Sequence, residues 1–443
     1  MDISFPTHSS IKKVSFEYTT PESVRRLSVK QVTTSQIFDS LNNPVAGGLY
    51  DPAMGPVDKN GRCPTCNQTA FQCPGHFGHI ELAVPVYAPM NFGSMYQLLR
   101  QICFYCHRLR SSRVRVALTT AKLRLLQAGL LMDAVDLDAW LESQSENNEA
   151  DLEAAEDAGI STDHVLRLDE SVIIDRLHRH VKHLIQKHKA DGTVLERKSA
   201  ALQAQRQAVI DDFLKKAPTS NTCAHCKSQV HGLHRHANTK VFLLPNKKHA
   251  SSVSETSLAA EGMKYLTPIH IYEHLKKVWA NEHVLLELLY CGGMGNVKER
   301  PDFRLFFTEV ISVPPCRFRP PSVFGDSQFD HPQNTYLTDI LKLNQRIVDL
   351  RQEPKTISEE EAEGVNEQDP KFANLMQSWI GLQEQVNYLF DSSRNQPLSG
   401  KIAPAGIKQI LEKKEGLFRK HMMGKRVNFA ARSVISPDAN IET

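Results

Sequence analysis

The sequence has no run of about 18 apolar residues, the length a membrane-spanning helix needs. Its opening, MDISFPTHSSIKKVSF, lacks the apolar core of a secretory signal. A nuclear or cytoplasmic protein, with no membrane partner, is expected. Charge of one sign is not in excess. The 53 Lys and Arg residues against 50 Asp and Glu leave +3, too little to imply a nucleic-acid partner on its own. Nine cysteines in 443 residues are too few for a disulfide scaffold. There is no P-loop, G-x-G-x-x-G, H-E-x-x-H or G-x-S-x-G, and no short carboxylate cluster suited to a two-metal phosphoryl site. The residues therefore show no catalytic centre.

What is present is globular composition, 41% hydrophobic and 23% charged, with a length that suggests about three domains. KKVSFEY and LSVKQVTT read as short β pieces, and GGLYDPAMGP as a loop with special backbone angles. IELAVPVY (80–87) and TKVFLLPN (239–246) read as strands. Apolar residues three and four apart give helices from Gly93 to about Glu142, over 170–189 and 193–216, and over 270–290. Seven acids without a Lys or Arg between Glu142 and Asp157 suggest a solvated or mobile insertion. The segment VISVPPCRFRPPSVFGDS (310–327) reads as a stiff extended loop. Two amphipathic stretches, 334–352 and 371–390, suggest an antiparallel helical hairpin joined by an acidic link.

Six cysteines fall in C-x-x-C pairs and one in C-x-x-H. Cys63, Cys66, Cys73 and His76 form a C-x2-C-x6-C-x2-H pattern, which suits a closed, structural tetrahedral zinc site. His79 competes with His76 as fourth ligand. The pairs Cys103/Cys106 and Cys223/Cys226 are each a knuckle, but 116 residues separate them. They form a joint site or two unrelated pairs, with His107, His225, His231, His234 and His236 as further possible ligands. Cys291 and Cys316 have no partner by spacing and read as packing residues.

Basicity concentrates near the C-terminal end. Between Lys401 and Arg432 nine Lys and Arg face two Glu, a net +7 that leaves −4 for the rest. With glycines in KKEG and MMGKR, this stretch reads as a shaped loop presenting cations to a phosphate backbone. Phe418 and Phe429 read as core residues rather than base-stacking platforms.

Two long segments carry a family resemblance: GGLYDPAMGPVDKNGRCPTCNQTAFQCPGHFGHIELAVPVY and EGLFRKHMMGKRVNFAARSVISPDANI. They resemble the largest subunit of multisubunit DNA-directed RNA polymerases, in the family's order. AKLRLLQAGL, SVPPCRFRPPS and the long insertion between the C-x-x-C pairs make the chain most like nuclear RNA polymerase I. The resemblance implies an α+β, zinc-stabilised clamp module in several parts. Residues 1–90 would be clamp core with the first zinc site, and 91–260 a helical clamp head with the second zinc site and the acidic insertion. Residues 261–333 would return to the clamp core and carry the lid. Residues 334–391 would be the clamp coiled coil, and 392–443 the rudder and basic switch segment.

The family also implies two structural Zn2+, with His76 completing the first site and the two distant C-x-x-C pairs sharing the second. It implies nucleic-acid contacts by Lys414, Arg419, Lys425, Arg426 and Arg432. Its partners would be the second-largest and other polymerase subunits, template DNA, the RNA–DNA hybrid, and initiation and elongation factors, in the nucleus and nucleolus. The family's NADFDGD motif is absent from this sequence. The chain thus looks like the N-terminal portion of a longer subunit, with the catalytic Mg2+ expected only in the downstream part. The nucleotidyltransferase activity would belong to the whole complex. A stand-alone zinc-binding scaffold or RING-like interaction module is the alternative.

Overall fold

The computed structural model describes residues 19–58, 60–156, 162–190, 199–216, 218, 220, 222–244, 264–290, 301–324, 327–352, 370–394, 403–412, 414–424, 426–435 and 437. The fold is mixed α and β, and the chain divides into two compact units, each assembled from separated stretches.

The first unit comprises Met1–Gln31 and Phe77–Val313. Helix α1 (Pro21–Leu27) starts at Thr20, whose hydroxyl accepts from the Ser23 N–H, and leads into β1 (Ser28–Gln31). Strand β2 (Phe77–Tyr87) pairs in parallel with β1 and antiparallel with β6 (Phe307–Val313). Ile80 faces Ile311, and Gly78 faces Val313. The end of β2 enters an apolar core: Tyr87 packs edge-on against Phe92 and shares a buried cluster with Leu98, Leu275, Trp279 and Phe306. These come from α2 (Phe92–Arg100), α7 (Pro268–Tyr290) and the turn before β6.

A second core joins four helices: α3 (Arg113–Ala128), α4 (Leu131–Glu156), α5 (Thr162–Ala190) and α6 (Ala200–Lys215). Ala117, Ala121 and Leu125 recur every four residues, so one face of α3 meets Leu137, Leu177 and Leu202. Gly129, at φ +92, ends α3 in the left-handed conformation that glycine adopts without a Cβ penalty. Strands β3 (Leu233–His236), β4 (Lys240–Leu243) and β5 (Lys264–Leu266) make a small antiparallel sheet.

The second unit comprises Val32–His76 and Pro314–Thr443. Its centre is Arg319, which is fully buried. The guanidinium donates to the Leu49 and Pro314 carbonyls and to Asn334 Oδ1. Strands β7 (Ser322–Phe324) and β8 (Ser327–Phe329) form a hairpin before α8 (Gln333–Gln352). Helix α9 (Pro370–Phe390) runs antiparallel to α8: Tyr336 meets Tyr388, and Leu343 meets Gly381. Short α10 (Ile407–Glu412) and a π-helical turn, Leu417–Met423, follow.

Two segments differ from the sequence reading. Residues 310–313, expected in a loop, end strand β6, because β2 supplies hydrogen-bond partners that a local pattern does not show. The acidic stretch after Glu142 continues α4 as far as Glu156. KKVSFEY, the acidic link at 353–369, most of DSSRNQPLSG and Cys291 lie outside the described residues.

Candidate metal centres and basic segment

Three C-x-x-C loops adopt one backbone design. In each, the first cysteine's N–H donates to the carbonyl five residues on, from Cys63 to Gln68, Cys103 to Arg108 and Cys223 to Ser228, all at 2.9 Å. Its carbonyl accepts from the N–H four residues on, at Asn67, His107 and Lys227. Those three residues have φ of +56, +55 and +58. Nothing in the Cys spacing marks that left-handed position, and three different side chains occupy it. The turn places both sulfurs of a pair on one side, with backbone N–H groups directed toward them.

In the second unit, Cys63, Cys66, Cys73 and His76 bring their ligand atoms within 4.8 Å of one another. Cys73 Sγ and His76 Nε2 are 3.7 Å apart. Gly75, at φ +85, donates its N–H to Cys73 Sγ. A Cβ there would lie 2.6 Å from Pro315 Cβ, so the C-P-G-H turn requires glycine. Arg317 donates to the Cys73 carbonyl at 2.7 Å, and the Met54 carbonyl accepts from the His76 N–H at 3.0 Å. The rival His79 is turned elsewhere: its Nδ1 is 2.7 Å from Ser28 Oγ, and its Nε2 3.5 Å from Glu81.

In the first unit, Cys103, Cys106, Cys223 and Cys226 form the second group within 4.8 Å, so the two distant pairs meet. Cys103 and Cys226 sulfurs are 3.6 Å apart, and Cys106 and Cys223 3.7 Å. Disulfides need about 2.05 Å. Tetrahedral thiolate bonds of about 2.3 Å put neighbouring sulfurs about 3.8 Å apart, which these distances approach. Either cluster can therefore hold a metal ion. None of the five candidate histidines belongs to this group. His107 Nδ1 faces His274 Nδ1 at 2.7 Å, and His231 faces the Tyr105 hydroxyl. Buried Cys316 donates its thiol to the Asp51 carbonyl, a packing role.

The thiols of each cluster differ in acidity. Burial pushes Cys106 up to about 12 and Cys73 up to about 11. Hydrogen bonds from the Ser228 side chain and backbone bring Cys226 down to about 6. Within the second cluster, hydrogen bonding thus favours the thiolate at Cys226, while burial disfavours it at Cys106 and Cys103.

The basic segment is exposed. Lys414, Arg419, Arg426 and Arg432 all face solvent, with no anionic partner among the described residues. By contrast Lys408 pairs with Asp391, and Lys420 with Glu415. Lys425 lies outside the described residues. Phe418 and Phe429 are 40% and 106% exposed, which overturns their reading as core residues.

The family model "RNA polymerase Rpb1, domain 1" matches residues 8–422. The DNA-directed RNA polymerase I subunit rpa1 of Schizosaccharomyces pombe is 35% identical over the whole chain. Subunit RPA190 of Saccharomyces cerevisiae is 34% identical over the whole chain. Subunit rpa1 of Dictyostelium discoideum is 32% identical over 98% of it. The chain spans about 30% of the length of these relatives. With 8–422 matched, the chain belongs to the RNA polymerase Rpb1 domain 1 family and is similar to the N-terminal part of the largest subunit of RNA polymerase I.

Proposed function

We infer that this chain is the clamp portion of a largest RNA polymerase subunit of the polymerase I class, which holds template DNA and the RNA–DNA hybrid during ribosomal RNA synthesis. The observation that carries this reading is the exposed segment from Lys414 to Arg432, in which Lys414, Arg419, Arg426 and Arg432 have no anionic partner among the described residues, in a chain of this family. A phosphate backbone would neutralise them, and the binding would not depend on base sequence. Residues 1–90 and 261–333 then act as clamp core and lid. Residues 91–260 act as clamp head, 334–391 as the coiled coil, and 392–443 as rudder and switch segment. Lys425 joins Lys414, Arg419, Arg426 and Arg432 in binding phosphate.

In this reading Zn2+ occupies both cysteine clusters and staples segments with little regular structure, since binding energy at such a site is folding energy. The chain acts within a nuclear, nucleolar enzyme beside the second-largest subunit, with initiation and elongation factors as further partners. The nucleotidyl transfer and its Mg2+ belong to the whole polymerase. On this chain the groups at work are the cationic side chains, which bind and orient the nucleic acid.

The test is polymerase assembled with Arg426→Ala and Arg432→Ala, with open-complex half-life measured across a salt series. The half-life should shorten, and the logarithmic salt slope should fall by about 0.9 for each phosphate that is no longer neutralised. An unchanged half-life and slope would remove the switch-segment assignment.

A further inference from the structure

In the first unit a cavity of about 380 Å³ opens beside the Cys103 and Cys223 knuckle loops, walled by α3, α5 and α7. Arg108, Arg113 and Arg124 line it, all three exposed and without an ion pair among the described residues. Glu282 is the single acid in the lining. It sits at a kink in α7, where its φ and ψ are −126 and 24. Three guanidinium groups against one carboxylate leave the cavity cationic.

A nearby cavity of about 410 Å³ shows what a self-neutralised site looks like. There Lys122 is held by Asp138 at 2.6 Å, and Lys216 pairs with Asp212.

A second feature points to a ligand. Ser111, in the lining, is 3% exposed, and its Oγ has no hydrogen-bond partner. Buried hydroxyls are normally satisfied, so this one is free to serve an incoming group. Arg113 also opens α3, so the positive end of that helix lies at the cavity wall.

From this juxtaposition we propose that the cavity is a docking site for a phosphorylated side chain of a partner protein, clamped by Arg108, Arg113 and Arg124 and by the Ser111 hydroxyl. Arginine forks match phosphate oxygens in pairs. Val116, Ile174 and Val284 supply an apolar wall beside the cations, suited to an apolar neighbour of the phosphorylated residue. Nucleic acid fits less well. The lining has no Phe, Tyr or Trp on which bases could stack. A duplex carries its phosphates on a convex rod, which a concave cavity of this size does not accept.

The experiment uses the full-length protein in the assembly with which it purifies. It is offered an array of phosphoserine and phosphothreonine peptides with apolar neighbours, each beside its unphosphorylated twin. Inorganic phosphate and a single-stranded oligodeoxynucleotide serve as competitors. Phosphopeptides should be retained about tenfold over their twins. Arg113→Gln with Arg124→Gln should remove that margin, and Ser111→Ala should reduce it several-fold. Unchanged metal content and melting temperature certify the variants, and Arg108→Gln replaces the double variant if it misfolds. Equal retention of the twins, or full retention by the arginine variants, would overturn the proposal. So would displacement by oligonucleotide or free phosphate at concentrations equal to the peptide's.

Discussion

Arg319 shows how one side chain can hold loops together. Its guanidinium is fully buried, stacks 5.6 Å over the Tyr50 ring and satisfies two carbonyls and the Asn334 side chain. Burial lowers its pKa, opposed by the Cys316 thiol and Tyr50. Arg319→Ala leaves three buried acceptors unpaired, each costing about 1–3 kcal/mol, so we expect a loss of about 3 kcal/mol or more in chemical denaturation. Arg319→Lys should recover little of it, because a point ammonium cannot span the fork. Nothing local in SVPPCRFRPPS distinguishes Arg319 from Arg317. Their roles diverge because Leu49 and Asn334 are brought to Arg319 from 270 and 15 residues away. The cysteines were legible for the opposite reason, since each pair is fixed by its own few residues.

Among the elements, the end of α9 shows a polar knot. The Asp391 carboxylate accepts from the Ser393 N–H and from the Gln409 and Lys408 side chains. Gln409 Oε1 in turn accepts from Ser392, and the Ser392 hydroxyl accepts from the Gly406 N–H. Hydrogen bonds from Ser393, then from Gln409 and Lys408, hold the Asp391 carboxyl well below its usual range. A depressed carboxylate contributes stability above its unfolded pKa of about 4 and loses it as pH falls. Asp391→Ala should therefore cost about 1 kcal/mol at pH 7, and the difference from wild type should shrink steadily below about pH 4. Urea unfolding at a series of pH values reads this directly, and a difference that grows on acidification would contradict it. The helical hairpin itself was legible from two apolar stripes of matched length, whereas the knot joins Asp391 to Gln409 across residues whose pattern is unremarkable.

For the molecule as a whole, each metal cluster is complete within its own unit. If each cluster holds one metal ion, Cys73→Ser should remove one equivalent of bound metal and leave the second, and Cys223→Ser should do the converse. Elemental analysis checks both, and loss of both metals from either variant would show that the sites are coupled. Chelation should destabilise each unit, because these loops have few regular hydrogen bonds to replace the ligands. No helix among the described residues is long and apolar enough to cross a membrane. The amino-acid sequence alone determined the ligand types, the knuckle spacing, the long helices and the concentration of cations near Lys414–Arg432, because each is a short-range property of the chain. Residue spacing left open, and the tertiary structure decided, that Cys103 and Cys106 meet Cys223 and Cys226 and that His76 rather than His79 turns toward Cys73, as the family resemblance implied; that β2 completes its sheet with residues more than 200 positions away was legible in neither. Those outcomes depend on which distant segments share a core, and that is settled by the free energy of burying them together.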